Sequence, residues 1–237
     1  MFSAMGEVLT SENLIFLLKG AGLSLAMAVL SLLIGLVLGT LGASAKISKN
    51  RILRCIGNVY VEIIRGTPML LQILILFAVV PLIYMEITGE RLVIMWFIIM
   101  KSCKNGVLVA VLSFGINSGA YVTELIRSGI NGVDKGQWEA CETLGLTRGQ
   151  TMKLVILPQA FKRIVPPLVS EFVTLIKDSS LVSTIGVVEL LKSAQVLGGN
   201  YADLMSPLII AGVMYLIMTL SIAYLARHLE RRLAESD

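Results

Sequence analysis

Two stripes of polar side chains run through stretches of this chain that are otherwise apolar. Ser113, Asn117, Tyr121 and Glu124 recur at steps of three and four residues, which places them on one face of a helix. Glu171, Thr174 and Asp178 repeat the pattern further on, with Lys177 adjacent and Ser179-Ser180 following. A zwitterionic solute needs both an acceptor and a donor, and Glu124, Asp178, Lys177 and Asn117 supply them. Ionisable groups within apolar segments are costly and usually face a cavity or a partner. A polar pathway is therefore the functional expectation. The competing expectation is that these side chains pin helices together by hydrogen bonds. It is stronger for Glu124, which lies one turn from Arg127. Lys177 and Asp178 point to different helix faces. Asp178-Ser179-Ser180 can also break the helix, because Asp and Ser bond their own backbone, and a broken helix at mid-depth would itself point to a substrate site. Upstream, Glu62 and Arg65 stand at i,i+3 and can pair, just before Gly66-Thr67-Pro68.

Other chemistries find little support. The single histidine, His228, sits with Arg231 and Arg232 near the C-terminus and reads as an orientation anchor, which leaves no credible Ser/His/Asp set. Cys55, Cys103 and Cys141 share no metal-ligand spacing. No Gly-x-x-x-x-Gly-Lys-Ser/Thr motif is present, so ATP binding and hydrolysis are not expected of this chain. No basic stripe with interleaved aromatics supports nucleic-acid binding.

The elements that must hold these stripes are membrane spans. Of 237 residues, 56% are hydrophobic and 15% charged, with a mean hydropathy of +0.83. A soluble domain carries about 25% charge. A crossing helix needs about 20 mostly apolar residues, and five segments qualify: 20–45, 67–85, 106–126, 164–190 (interrupted by Lys177-Asp178) and 206–226. The expectation is an all-α, polytopic membrane protein with five transmembrane helices and a single domain over 1–237. Leu92 to Met100 is apolar but too short to cross, and reads as an interfacial or re-entrant piece. The first twelve residues hold no Lys or Arg and carry Glu7 and Glu12. A secretory signal starts with positive charge, so Leu14 onward is expected to be a retained span. Basic residues fix the orientation. The segments after spans one, three and five hold thirteen Lys and Arg, against four on the opposite side. The N-terminus is therefore expected outside and the C-terminus in the cytoplasm. Inverted repeats of the kind found in secondary transporters are not evident.

The same count places residues 128–163 in the cytoplasm, as a polar island between spans three and four. Gln137 to Leu144 should form a short amphipathic helix, with Trp138, Ala140, Cys141 and Leu144 on one side. Gly145 fits the position after a helix end, where a left-handed backbone suits glycine. Thr147 and Gln150 have the spacing of a capping box, and the helix they start should stop at or before Pro158. On spacing alone this is an interfacial helical hairpin.

The residues of that hairpin resemble a known loop. Glu139-Ala140-Cys141, then Gly145, then Val155-Ile156-Leu157-Pro158 are similar to the Glu-Ala-Ala loop of bacterial ATP-binding-cassette importer permeases, with Cys141 as the departure. Glu62-Ile-Ile-Arg65-Gly66-Thr67-Pro68, Asn117-Ser-Gly-Ala-Tyr121-Val-Thr-Glu124 and Lys177-Asp178-Ser179-Ser180-Leu181 resemble the subfamily that imports polar amino acids. The resemblance covers residues from about 14 to 225 and implies the five-helix fold of type I importer permeases. It implies a coupling loop carried by Gly132, Gly136, Glu139, Ala140, Gly145, Leu157 and Pro158, and a structural or gating role for Glu62, Arg65, Gly66, Thr67 and Pro68. It also implies a second permease chain, identical or sibling, two ATPase subunits that hold the ATP and Mg, and an extracytoplasmic amino-acid-binding protein, in a bacterial cytoplasmic membrane. An ion-gradient-driven secondary transporter is the alternative; it would need no docking loop.

Overall fold

The computed structural model describes residues 10–88 and 104–234, and every element among them is helical. The segment Leu92 to Met100, expected as an interfacial piece, lies outside the described residues.

Helix α1 spans Ser11–Ile47 and starts at Thr10, whose hydroxyl accepts the Asn13 N–H at 3.3 Å. It begins nine residues before the expected span because the polar Ser-Glu-Asn run still propagates from this cap. Its 37 residues rise about 55 Å, more than the roughly 30 Å of a hydrocarbon core. Helix α2 (Arg51–Gly66) and helix α3 (Met69–Thr88) meet at 106°. Thr67 is extended there, as the residue before a proline must be. Sequence reading took 46–66 as a connecting loop. The structure makes most of it a helix with Ile52, Ile56, Val59 and Ile63 exposed along one side and Gly57 and Val61 buried on the other.

Helix α4 (Lys104–Asn131) packs against α1 along a seam of small residues. A Cβ on Gly35 would come within 2.8 Å of the Ser118 hydroxyl, and Gly39 and Gly42 face Val122 and Thr123 equally closely. Such seams let helix backbones approach where lipid leaves little hydrophobic drive for association. Two short helices follow, α5 (Lys135–Thr143) and α6 (Arg148–Thr151). A π-helical turn, Met152–Ile156, then leads into α7 (Leu157–Asp178).

That passage corrects the expectation of a stop at Pro158. In an unbroken α-helix the Pro158 ring would clash with the Leu154 carbonyl. The π turn, in which the Leu157 N–H reaches Met152 O five residues back, widens the backbone just before it. The chain therefore runs from hairpin to span without a loop.

The expected fourth span is also not one helix. Helix α7 ends at Asp178, a 3₁₀ turn covers Ser179–Ile185, Gly186 is left-handed at φ 85°, and α8 (Leu190–Tyr201) departs at 48°. The Ser179 hydroxyl donates to Ile176 O and the Ser180 hydroxyl to Lys177 O, both at 2.7 Å. This is the local competition expected of the Asp-Ser-Ser run. The last helix, α9 (Met205–Ala234), is capped by Asp203. That carboxylate accepts the Met205 and Ser206 N–H groups and, at 2.5 Å, the Ser206 hydroxyl. The Ser206 bonds hold its carboxyl below the ordinary aspartate range.

Met27, Ile73, Phe114, Ile176 and Val182 form the main core, shared by α1, α3, α4, α7 and the 3₁₀ turn. Leu17, Leu190, Leu197 and Ala211 form a second one between α1, α8 and α9. Among the described residues, three helices are long and apolar enough to cross a membrane alone: α1, α4 and α9. The bent pairs α2–α3 and α7–α8 each pass only when taken together, so the candidate spans among those residues number three, or up to five if each pair is one crossing.

Candidate functional site

The first candidate is the α5–α6 hairpin. Asp134 caps α5, its Oδ1 accepting the Gly136 N–H at 2.7 Å. The helix ends in a Schellman motif: Leu146 N–H bonds Cys141 O and Gly145 N–H bonds Glu142 O, both at 3.0 Å. Gly145 stands at φ 73° in open space, so glycine is needed there for backbone angle. The capping box is present in both directions: Thr147 N–H bonds Gln150 Oε1 at 2.9 Å, and Gln150 N–H bonds Thr147 Oγ1 at 3.4 Å. A bond of 2.9 Å from Gln159 Nε2 to Gln137 Oε1 ties α5 to α7.

The expected apolar face of α5 needs correction. Cys141 is buried, and Trp138 is half-buried against the cluster of Ile130, Val133, Ile156 and Ala160. Ala140 and Leu144 point away, and Leu144 is 77% exposed. At about 100° per residue, positions 138 and 141 share one side of a helix and 140 and 144 another. Glu139, Ala140 and Leu144 thus lie on the open side of the hairpin, and Leu154, Leu157 and Phe161 are exposed on the segment that follows. Gly132, Gly136 and Pro158 are exposed as well. Ile47, Trp138, Glu142, Leu146, Arg148 and Met152 line a cavity of about 470 Å³ where the hairpin meets the end of α1.

The second candidate is the pair of polar stripes. Each member of the α4 stripe already has a contact. Ser113 bonds its own helix at Val109 O (2.7 Å). Asn117 donates to Gln72 Oε1 at 3.0 Å. Gln72 in turn donates to Ile64 O and to the carbonyl and hydroxyl of Thr67, at 2.7 to 3.1 Å. Asn117 therefore braces the 106° elbow at Thr67-Pro68. The Arg65 guanidinium lies 4.8 Å from the centre of the Tyr121 ring, within reach of a cation–π contact. This corrects the expected Glu62–Arg65 pair: Glu62 is exposed, and among the described residues the ion pairs are those of Glu124. Glu124 binds Lys46 at 2.5 Å and Arg127 at 2.7 Å.

The α7 stripe divides. Thr174 and Lys177 are exposed and, with Ser170 and Arg227, line a groove of about 370 Å³ between α7 and α9. Glu171 and Asp178 are only partly exposed and do not line it. Lys177, and not Asp178, therefore shares the groove with Thr174.

Sequence reading missed three contributors. Gln72 could have been found as a lone amide in an apolar run four residues after a proline. Lys46 was counted only as a basic loop residue. Glu189 is fully buried; it accepts the Tyr215 hydroxyl at 2.7 Å and the Leu191 and Lys192 N–H groups at 2.9 and 2.8 Å. An acid between Val188 and Leu190 was the available signal.

Comparison with known proteins agrees with this architecture. The arginine transport system permease protein ArtQ of Bacillus subtilis is 36% identical over 228 residues, covering 96% of this chain and 97% of that protein. The L-cystine transport system permease protein TcyB of the same organism is 38% identical over 211 residues, covering 89% of this chain and 83% of that protein. A crystal structure of an amino acid ABC transporter with histidines aligns at a TM-score of 0.81 and 32% identity, over 93% of this chain and 95% of that one. Residues 31–235 match the family described as binding-protein-dependent transport system inner membrane component. This chain belongs to that family, as a membrane-embedded, amino-acid ABC transporter permease.

Proposed function

We propose that the chain is one permease subunit of an ATP-driven, binding-protein-dependent importer of polar amino acids. Two permease chains would form the pathway. Two separate ATPase subunits would hold ATP and Mg, and an extracytoplasmic binding protein would deliver the solute. The observation that carries this reading is the hairpin's outward side. Two caps and a left-handed glycine position Glu139, Ala140 and Leu144, and all three are exposed among the described residues. A docking partner gives that side a purpose; a gradient-driven transporter would leave it none. On this reading the excess of basic residues supports a cytoplasmic hairpin and C-terminus, and the chain would cross five times with its N-terminus outside. The polar groove with Ser170, Thr174 and Lys177 supplies a donor for a solute carboxylate on the pathway side of α7.

The test is to purify the tagged chain from its native membranes in mild detergent and to measure ATPase activity in the eluate. The expected result is a co-purifying cassette ATPase whose retention falls in a Glu139→Ala, Gly145→Asp double variant. A chain that purifies alone, with uptake sustained by an ion gradient, would replace this reading with the secondary-transporter one.

A further inference from the structure

Three helices meet at one charged cluster on the hairpin side of the molecule. Lys46 is in the last turn of α1. Its Nζ donates to one oxygen of Glu124 on α4 at 2.5 Å, while Arg127 donates to the other oxygen from Nε and Nη2 at 2.9 and 2.7 Å. The Lys46 stem lies over a notch in α2: a Cβ on Gly57 would come within 2.9 Å of its Cγ. One lysine thus touches α2 with its methylenes and α4 with its charge. The pairing is partly buried, with side-chain exposures of 13% for Lys46 and 18% for Glu124.

Packing of α1 on α4 does not by itself call for these charges. The Gly35–Gly39–Gly42 seam already holds the two helices together deeper in the bundle. Beyond the cluster, α4 runs unbroken to Asn131, and its Ile126 and Ile130, with Val133 just past its end, pack in one cluster with Trp138 of the hairpin and with Met152, Ile156 and Ala160 of the segment that follows. Any displacement of the hairpin enters α4 through that apolar contact. Glu124 then links α4 to α1 through Lys46, and the Lys46 stem reaches α2 at Gly57. Packed interfaces move between discrete arrangements and do not deform continuously, and a partly buried carboxylate that loses its cation is left uncompensated. The cluster therefore favours movement of the three helix ends as one body.

We propose that the Lys46–Glu124–Arg127 cluster is the joint through which movement of the hairpin reaches α1 and α2, with Glu124 as its positioning residue. This rests on the reading that the hairpin docks an ATPase. Glu124 acts here through its partners and not on the solute, which separates this role from the pathway expected of it in the sequence.

The experiment compares native and variant complexes, purified with their ATPase and reconstituted into liposomes. Labelled arginine and cystine serve as probes, and phosphate release and uptake are measured together. Glu124→Gln keeps the side-chain shape and removes the charge. The expected result is normal ATPase retention with about tenfold more ATP hydrolysed per amino acid imported, in the range of coupling between sites. Lys46→Gln should shift the ratio in the same direction. The reversed set Lys46→Glu, Glu124→Lys, Arg127→Glu should recover it, which a purely steric role would not. An assembled Glu124→Gln or Lys46→Gln complex with the native ratio overturns the joint. So does failure of all three to assemble, because the cluster would then be a folding element. A native chain that retains no ATPase removes the docking reading and the joint with it, whereas a docked variant with native coupling removes the joint alone.

Discussion

The hairpin and the polar faces of α4 and α7 draw on the same residue types and use them in opposite ways. In the hairpin, Asp134, Thr147 and Gln150 bond backbone within three residues of themselves, and the outward side chains of α5 stay exposed. In α4, Asn117, Tyr121 and Glu124 spend their contacts on α3, α2 and α1, and little is left over for a solute. The Ser170–Thr174–Lys177 face of α7, by contrast, combines polarity with an open groove. The polar side chains of these helices therefore divide into those that contact a neighbouring helix and those, Ser170 and Thr174 among them, whose hydroxyls bond their own helix beside an open groove.

The sharpest way to break this comparison is Gly145→Asp. At φ 73° a side chain costs about 1–2 kcal/mol, and the new charge would sit at the docking side. Uptake should fall about tenfold or more while the chain still inserts, the scale of a lost coupling between sites. Native uptake by a well-expressed variant would remove the hairpin's assigned role. Next comes Lys177→Gln. If the α7 face lines the pathway, the amino-acid concentration for half-maximal uptake should rise several-fold, with little change in melting temperature. The reverse pattern would make Lys177 a brace.

Gln72→Leu tests the other side of the division. It strands the Asn117 amide and opens the elbow, so thermal stability in detergent should fall by about 1–3 kcal/mol. The uptake preference among amino acids should not change; an altered preference with unchanged stability would put the elbow amides in the pathway. Thr147→Ala removes the capping box at a cost of about 1 kcal/mol, local to α6, and hydrogen exchange of residues 148–151 should quicken more than that of α4. The smallest effect is at Asp203. Its carboxyl is held below the ordinary value near 3.9, so its contribution is complete above that value and is lost as pH falls through the lowered one. Asp203→Asn should flatten that acid limb of the stability profile and leave the neutral range nearly unchanged.

Several features of the site were legible in the sequence because their signals are local. The Gly145 turn, the Thr147–Gln150 box and the weakness at Asp178-Ser179-Ser180 each involve partners within five residues. Thr67-Pro68 announced a break for the same reason. The failures have a common origin too. Pro158 signals a stop when read alone, but a π turn upstream absorbs it. The Glu62–Arg65 spacing permits a pair, yet Arg65 lies on a tyrosine from another helix. Trp138, Ala140, Cys141 and Leu144 are all apolar, and which two are covered depends on where α4 and α7 lie.

Composition and the length of apolar runs determined that this is a helical membrane protein, because backbone groups in lipid must be satisfied within each segment. Cap residues and left-handed positions determined the hairpin, since those bonds close within one turn. The pairings Asn117–Gln72, Lys46–Glu124, Tyr215–Glu189 and Ser24–Glu189 were decided by tertiary structure alone. Those partners lie 26 to 165 residues apart in the chain, and no local spacing records which helix will be adjacent.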